Sequence, residues 1–414
     1  MVTVFGLGFV GLTTALGFAE MGHKVYGIEA DPKRMEIIKD GKLPFLEPGL
    51  DLALSRHLGK GFIPTGDIDA AVRDSEYVYY CVGTPYGENG EADLKYLFGA
   101  IDETLSAAND GKYRVLVTKS TIPPSTTSKK IIPYLEAKGI RVGTDLGVAN
   151  NPEFLREGHC WDDFIGADRI VLGVSDLRSE DMLKKLYQSV TVPIHCVNLN
   201  TGEFIKYLSN TLLATLISYS NEMAVVADTI GDIDVASSFR ILVEDKRWNG
   251  CNMTTYVYPG CGYGGYCLPK DTNAMYAVAK TAGFDAQILK NVIATNDRMP
   301  DLITDRIAKR ASKNNKIGIL GLSFKPLSDD VRDTPSAKII KKLQERGYTR
   351  IYAYDPVANN EFAKCYPDLK LSYCKTLNDL IKASDVLVIM TAWEEFRSIK
   401  KLTDKEIIDC RYML

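Results

Sequence analysis

The 414-residue chain offers no sign of a cysteine framework. Its nine cysteines are scattered, odd in number and contain no Cys-x-x-Cys pair. That pattern argues against a disulfide scaffold and against a structural zinc site. A reducing cytoplasm is the expected setting. Histidine is scarce as well: His23, His57, His159 and His195 make no ligand spacing, so no metal centre is expected. Neither sign of charge dominates. A formal net charge of -3 gives no general attraction to nucleic acid or to an anionic membrane. Any anionic ligand must then be held by local basic groups. No apolar run reaches membrane-spanning length, and the chain enters a strand-like run at once, so no signal peptide is expected.

What is present is the composition of a globular protein, 45% hydrophobic and 25% charged. The length exceeds one ordinary core and implies two or three domains. Val2-Thr3-Val4-Phe5 is β-rich. Gly6-Leu7-Gly8-Phe9-Val10-Gly11 follows, then a helical stretch through Met21, then a second strand-like run, Lys24 to Ile28, ending in Glu29. Strand, Gly-x-Gly-x-x-Gly, helix, strand and acid form the dinucleotide fingerprint in its required setting. In that reading Gly6 permits the turn, Gly8 lets backbone approach a pyrophosphate, and Gly11 permits close helix packing. The helix N-terminus faces the phosphates. Glu29 takes the ribose hydroxyls, which favours NAD over NADP.

The alternation continues. Glu76 to Val82 and Arg114 to Thr118 read as strands. They end in Gly83-Thr84-Pro85 and Lys119-Ser120-Thr121, which puts Thr84, Ser120 and Thr121 at the carboxyl edge where ligands bind; helix capping or a simple strand end is the plainer reading of these side chains. After Gly147-Val148-Ala149 comes Asn150-Asn151-Pro152-Glu153-Phe154-Leu155-Arg156-Glu157. Its two carboxylates are spaced to share one helical face. From Thr201 to about Ile230 the apolar spacing turns helical. Lys206 and Asn210 share a face there, and so apolar a helix calls for cover by a second copy. Helical spacing carries on to about Met299.

The stretch from Gly262 to Thr272 concentrates glycines, tyrosines, the Cys267 thiol, Lys270 and Asp271. A lysine three residues on favours a thiolate nucleophile; a buried, inert cysteine is the plainer alternative. Asp271 is placed either to handle a proton or to cap a helix starting near Thr272. From Lys316 the opening plan returns as strand, glycine turn, helix and a strand ending in Asp355. Lys325 replaces the third glycine, which suits a phosphate-bearing ligand better than a full dinucleotide. Ser384 to Met390 likewise echoes the strand near Val82. The chain therefore reads as two Rossmann-like, doubly wound α/β domains joined by a central helical domain with a long connecting helix. The expected boundaries are 1–195, 196–300 and 301–414.

Together these segments resemble the UDP-glucose/GDP-mannose dehydrogenase family of nucleotide-sugar dehydrogenases. The likeness runs along nearly the whole chain through GLGFVG, CVGTP, KSTIPP, NPEFLREG, the Lys206 and Asn210 helix, GYGGYCLPKDT, GLSFKPLSDDVRDTP and the closing IIDCR. It implies a four-electron oxidation of a sugar alcohol to a uronate with two NAD+. Cys267 would carry a thiohemiacetal and then a thioester. Lys206 and Asn210 would steady the oxyanions, Glu153 and Asp271 would serve as bases, and Thr121 would hold a water. Cofactor contacts implied by the match are Gly6, Gly8, Phe9, Val10, Gly11, Glu29, Arg34, Thr84, Ser120, Thr121, Glu157, Lys270 and Arg332. Substrate contacts implied are Glu153, Phe154, Leu155, Lys206, Asn210, Tyr256, Tyr258, Gly264, Lys325 and Arg411. Arg247 would come from a neighbouring subunit of a homodimer or larger homo-oligomer. UDP-glucose is the substrate the likeness favours. The same chemistry on GDP-mannose or a UDP-N-acetylhexosamine is the near alternative, and a two-electron hydroxyacid-type dehydrogenase the distant one.

Overall fold

The computed structural model describes residues 1–85, 87, 91–245 and 256–414. The chain divides into two compact units, Met1–Leu208 and Ser209–Leu414.

The first unit is built on eight strands: β1 (Val2–Phe5), β2 (Val25–Ile28), β3 (Phe62–Pro64), β4 (Tyr77–Tyr80), β5 (Val115–Thr118), β6 (Gly147–Asn150), β7 (Ile170–Val174) and β8 (Ile194–Asn198). Their order across the sheet is β3-β2-β1-β4-β5-β6-β7-β8. All neighbours are parallel except β6 and β7, where Ala149 faces Val174 and Asn150 faces Gly173. Parallel strands are covered on both faces, so every position must be apolar or satisfied. β4 shows the consequence: Tyr77 and Tyr79 join the core on one face, Val78 and Tyr80 the core on the other.

The second unit repeats the plan with β9 (Ile317–Leu320), β10 (Ile351–Tyr354), β11 (Ser372–Tyr373), β12 (Val386–Ile389) and β13 (Glu406–Asp409), ordered β11-β10-β9-β12-β13 and wholly parallel. Val386 and Val388 enter one core, Leu387 and Ile389 the other. Between the two sheets in sequence lie the helices Leu199–Ile230, Val235–Leu242, Cys267–Thr281 and Gln287–Ala308. Two Rossmann-like sheets flanking a helical segment with one long helix is the architecture expected. The helix Leu199–Ile230 has 32 residues, and its first ten belong to the first unit. Residue 300, where a boundary was expected, lies inside the helix Gln287–Ala308.

Two local expectations fail. Residues 151–156 form no helix, so Glu153 and Glu157 do not share a helical face. Pro152 biases its predecessor away from the helical region, and the Glu153 carboxylate accepts the Leu155 N–H at 2.7 Å, closing a local turn instead. Nor does Asp271 cap a helix. The helix begins at Cys267, and Pro269 fits in its first turn, where no N–H is required. Asp271 is an interior position, 0% exposed.

One buried charge fastens the first sheet. Arg114, just before β5, is 2% exposed. Its guanidinium donates to Val72 O at 2.9 Å, to Arg73 O and Lys112 O, and to both Asp110 carboxylate oxygens at 2.7 and 2.6 Å. Hydrogen bonds from Arg114 hold the Asp110 carboxyl well below the usual carboxylate range, against a small opposing effect of burial. A carboxyl lowered in the folded state stabilises above its unfolded pKa of about 3.9 and loses that contribution as pH falls toward the folded value. Arg114→Met leaves the Val72, Arg73 and Lys112 carbonyls and the partly exposed Asp110 carboxylate without their donor and is expected to cost about 1–3 kcal/mol at neutral pH. Thermal melts at pH 7 and in acid check this: the gap between wild type and variant should narrow in acid, because only the wild type has the Asp110 contribution to lose.

Candidate active site

The turn after β1 shows why its glycines stand where they do. Gly6 has φ +83°, and a Cβ there would meet Cys81 O at 2.8 Å. A Cβ on Gly11 would lie 1.7 Å from Gly6 O. Gly8 differs: its φ is -76°, and a Cβ would meet nothing within 4 Å. Among the described residues no atom therefore demands a glycine at Gly8. The space over it, at the N-terminus of the helix Phe9–Glu20, suits a pyrophosphate held by backbone N–H groups. Phe9 stacks on Phe45 with ring centroids 4.1 Å apart, and Val10 is half-buried beside it. Glu29 ends β2. It accepts Leu7 N–H and Asp31 N–H at 2.9 Å each and pairs with Arg34 at 3.3 Å. The acid thus braces the glycine turn and presents its carboxylate beside the same cradle. These residues fit an adenine dinucleotide.

Further along the carboxyl edge, Thr84 Oγ1 donates to Thr121 O at 3.0 Å, and Ser120 Oγ donates to Val82 O at 2.6 Å. The two strand ends are stitched together. Glu153 and Lys206 form an ion pair at 2.8 Å, each about 6% exposed. Removal from water costs each ion several kcal/mol, and the pairing offsets that cost. Phe154 lies under both Lys206, at 5.8 Å from its ring centroid, and Arg169, at 4.4 Å. Leu155 supplies the N–H that holds the second Glu153 oxygen.

In the second unit Cys267 is the first residue of the helix Cys267–Thr281, where a helix N-terminus favours thiolate. One turn on, Lys270 pairs with Asp271 at 2.5 Å, and the other Asp271 oxygen accepts from Asn210 Nδ2 at 2.5 Å. Burial opposes charge on Lys270, but Asp271, the Cys267 sulfur and Tyr266 together raise its pKa above the ordinary value. The Tyr266 ring also meets Arg332, whose guanidinium is forked onto Asp330. Gly265 donates to Arg332 O at 3.0 Å, and a Cβ on Gly264 would strike Asp333 O at 2.6 Å. Lys325 lies over the Phe324 ring. Arg411 packs against Gly260, leaving no room there for a Cβ. Tyr258 donates to Tyr412 O at 2.7 Å, and Tyr256 is half-buried. Arg247 lies outside the described residues. Among the described residues no cluster of acids, cysteines and histidines has metal-site geometry, and no helix is long and apolar enough to cross a membrane.

Several polar residues of these sites escaped the sequence reading. Lys119, one residue before Ser120, is 5% exposed and donates to Asn151 Oδ1 at 3.0 Å. Burial lowers its pKa to about 8, partly opposed by Cys81 and Glu153. Glu47 is 2% exposed and accepts the N–H groups of Gly158 and Cys160, fixing the turn after Glu157. Glu203 is 3% exposed, one helical turn before Lys206. The available signal was position alone: a lysine at the end of a buried strand, and an acid three residues from a lysine on a helix.

Comparison with known proteins places the chain in a family. Residues 1–191 match the NAD binding domain of the UDP-glucose/GDP-mannose dehydrogenase family, residues 200–298 its central domain and residues 318–414 its UDP binding domain. A UDP-glucose 6-dehydrogenase of Rickettsia bellii is 36% identical over 96% of this chain and 90% of its own length. One from Pseudomonas aeruginosa is 36% identical over 95% of this chain and 88% of its own. Among solved structures, a UDP-glucose dehydrogenase from Pyrobaculum islandicum superposes with a TM-score of 0.92 at 33% identity, covering 100% of this chain and 94% of that one. The chain belongs to the UDP-glucose/GDP-mannose dehydrogenase family and is an NAD-binding nucleotide-sugar dehydrogenase.

Proposed function

We propose that the protein oxidises the C6 hydroxyl of UDP-glucose to a carboxylate, giving UDP-glucuronate, through a covalent intermediate on Cys267. The observation that carries this is the placing of the Cys267 thiol at a helix N-terminus one turn from the buried Lys270–Asp271–Asn210 cluster. NAD+, when bound, accepts a hydride, and the overall four-electron oxidation consumes two. In the first oxidation a carboxylate takes the hydroxyl proton; Glu153 and Asp271 are the two available. Cys267 thiolate then adds to the C6 aldehyde. The oxyanion this creates is met by the Lys206 ammonium and the Asn210 amide, four residues apart on one helix. Loss of the second hydride leaves a thioester. A water held at Thr121 and relieved of its proton by a carboxylate cleaves it, returning the thiol and releasing the uronate.

For binding, Lys325 offers a cation to the diphosphate, with Arg411, Tyr256, Tyr258 and Gly264 around the nucleotide. Phe154, Leu155 and Glu153 take the sugar. Gly6 to Gly11, Glu29, Arg34, Thr84, Ser120, Glu157, Lys270 and Arg332 serve the cofactor. The family resemblance assigns Arg247 to the substrate of a second copy in a homo-oligomer. The relatives named for UDP-glucose support the choice of sugar. Fold alone does not separate the sugars: a UDP-D-ManNAc dehydrogenase of Pyrococcus horikoshii has a TM-score of 0.85 at 27% identity, covering 100% of this chain and 96% of that one.

Two measurements test the reading. Purified protein with NAD+ and, in turn, UDP-glucose, GDP-mannose and UDP-N-acetylhexosamines should reduce NAD+ with UDP-glucose, forming about two NADH per sugar. Turnover with GDP-mannose alone would move the substrate, and a ratio near one would point to a hydroxyacid-type reaction. Cys267→Ser, which keeps the shape and removes the nucleophile, should lower kcat for uronate formation by roughly 10³-fold or more. Unchanged turnover would sink the thioester route.

A further inference from the structure

Lys119 is a buried cation that the chemistry above does not use. It follows β5 directly, and β5 lies beside β6 with Thr118 facing Asn150. The ammonium reaches across to the residue after β6, donating to Asn151 Oδ1 at 3.0 Å and to Asn151 O at 3.4 Å. Asn151 is held from three further directions. Its N–H donates to Thr118 O at 2.9 Å, its Nδ2 donates to Val171 O at 2.9 Å, and its Oδ1 also accepts from the Tyr187 hydroxyl at 2.6 Å. Pro152, whose φ is fixed by its ring, comes next, and then Glu153. An anchored Asn151 therefore aims the Glu153 carboxylate. A tie between two strands needs no charge, and an ammonium is costly to bury against a neutral amide. The carboxylate whose field reaches Lys119 is that of Glu153, and the Lys206 ammonium acts in the opposite sense. The other titratable groups near it are neutral: burial pushes the Cys81 thiol up to about 12 and raises the Tyr187 phenol as well.

We propose that Lys119 is a positioning residue for Glu153: its ammonium fixes the Asn151–Pro152–Glu153 corner and adds a second positive charge, besides that of Lys206, to the surroundings of the carboxylate. A base must be ionised before it can take a proton, and a positive charge nearby favours that form. It must also be aimed, and a carboxylate displaced by a loosened corner loses rate steeply. One lysine serves both needs from behind the site, without touching the substrate. The proposal rests on the reading of Glu153 as a base given above.

The alternative is that Lys119 only staples β5 to β6. Wild type, Lys119→Met, Glu153→Gln and the double variant, compared for kcat with UDP-glucose and NAD+ at pH 7, separate the two. Lys119→Met is expected to lower kcat roughly tenfold, the scale of one charge felt through a protein interior. In the Glu153→Gln background the same substitution should change kcat less than about twofold, because the group it acts on is already gone. A staple predicts the same fold-loss in both backgrounds, and that result overturns the proposal. So does a wild-type kcat in folded Lys119→Met beside a slow Glu153→Gln. The pH dependence gives a second reading. Lys119 loses its charge as pH rises through about 8, so the ratio of wild-type to Lys119→Met kcat should shrink between about pH 7 and about pH 9.5. A ratio constant over that range overturns the proposal. Should Lys119→Met fail to fold, Lys119→Gln, which keeps a donor and drops the charge, carries the same comparisons with the same expected outcomes. A wild-type kcat in Glu153→Gln would withdraw the role of Glu153 and this proposal with it. Wild type that reduces NAD+ with no nucleotide sugar would count against the proposed function itself.

Discussion

An ammonium taken out of water holds its proton less tightly unless a carboxylate stands beside it. Lys119, bonded to the Asn151 amide, is lowered by burial to about 8, while Lys270 beside Asp271 is raised, and this constraint shapes both units. Lys206 with Glu153 and Lys270 with Asp271 are almost fully buried pairs. Each is a poor way to gain stability, since apolar residues of similar size often do as well. Each is a good way to keep a charge at a fixed point in a low-dielectric surrounding, where it acts on neighbouring charges more strongly than in water. Much of the surrounding structure serves the pairs. Pro152 and the Leu155 N–H bend the chain that carries Glu153, and Asn210 occupies the second Asp271 oxygen.

The two sheets follow one plan and spend it differently. At the end of β2, Glu29 uses backbone donors and Arg34 yet stays beside an open cradle over Gly8. At the end of β10, Asp355 is 2% exposed and its oxygens are taken by the N–H groups of Leu322, Ser323, Val357 and Ala358, the Ser323 hydroxyl and the Trp393 indole. Both acids brace the glycine turn of their own sheet, but only the first also pairs with a partly exposed arginine, whereas the second is consumed by its own fold.

Legibility followed sequence distance. The strand–turn–helix from Val2 to Glu20 was readable because its whole logic is local, and the helix Leu199–Ile230 was readable from its period. The readings of Glu153 with Glu157 and of Asp271 as a cap failed because spacing does not reveal where a helix starts; Pro152 and Pro269 decided that. The antiparallel β7 carried no local signal of its direction. Glu203 was unreadable for another reason: its partner Thr127 is 76 residues away, and nothing in either neighbourhood announces the contact. Arg114 is similar, since the carbonyls of Val72 and Arg73 that it holds come from another element.

Asp355 also limits how the second sheet can change. Restoring glycine at Ser323 and Pro326, which stand at the second and third glycine positions after β9, would not by itself recreate a dinucleotide site, because the acid that such a site needs is already the knot that ties β9's turn, β10's exit and Trp393 together. Freeing it would unpick three segments at once. At this carboxylate the two sheets are not interchangeable, and the constraint on the second is one of folding: its acid cannot turn outward without loosening the turn, the strand exit and the indole that it holds.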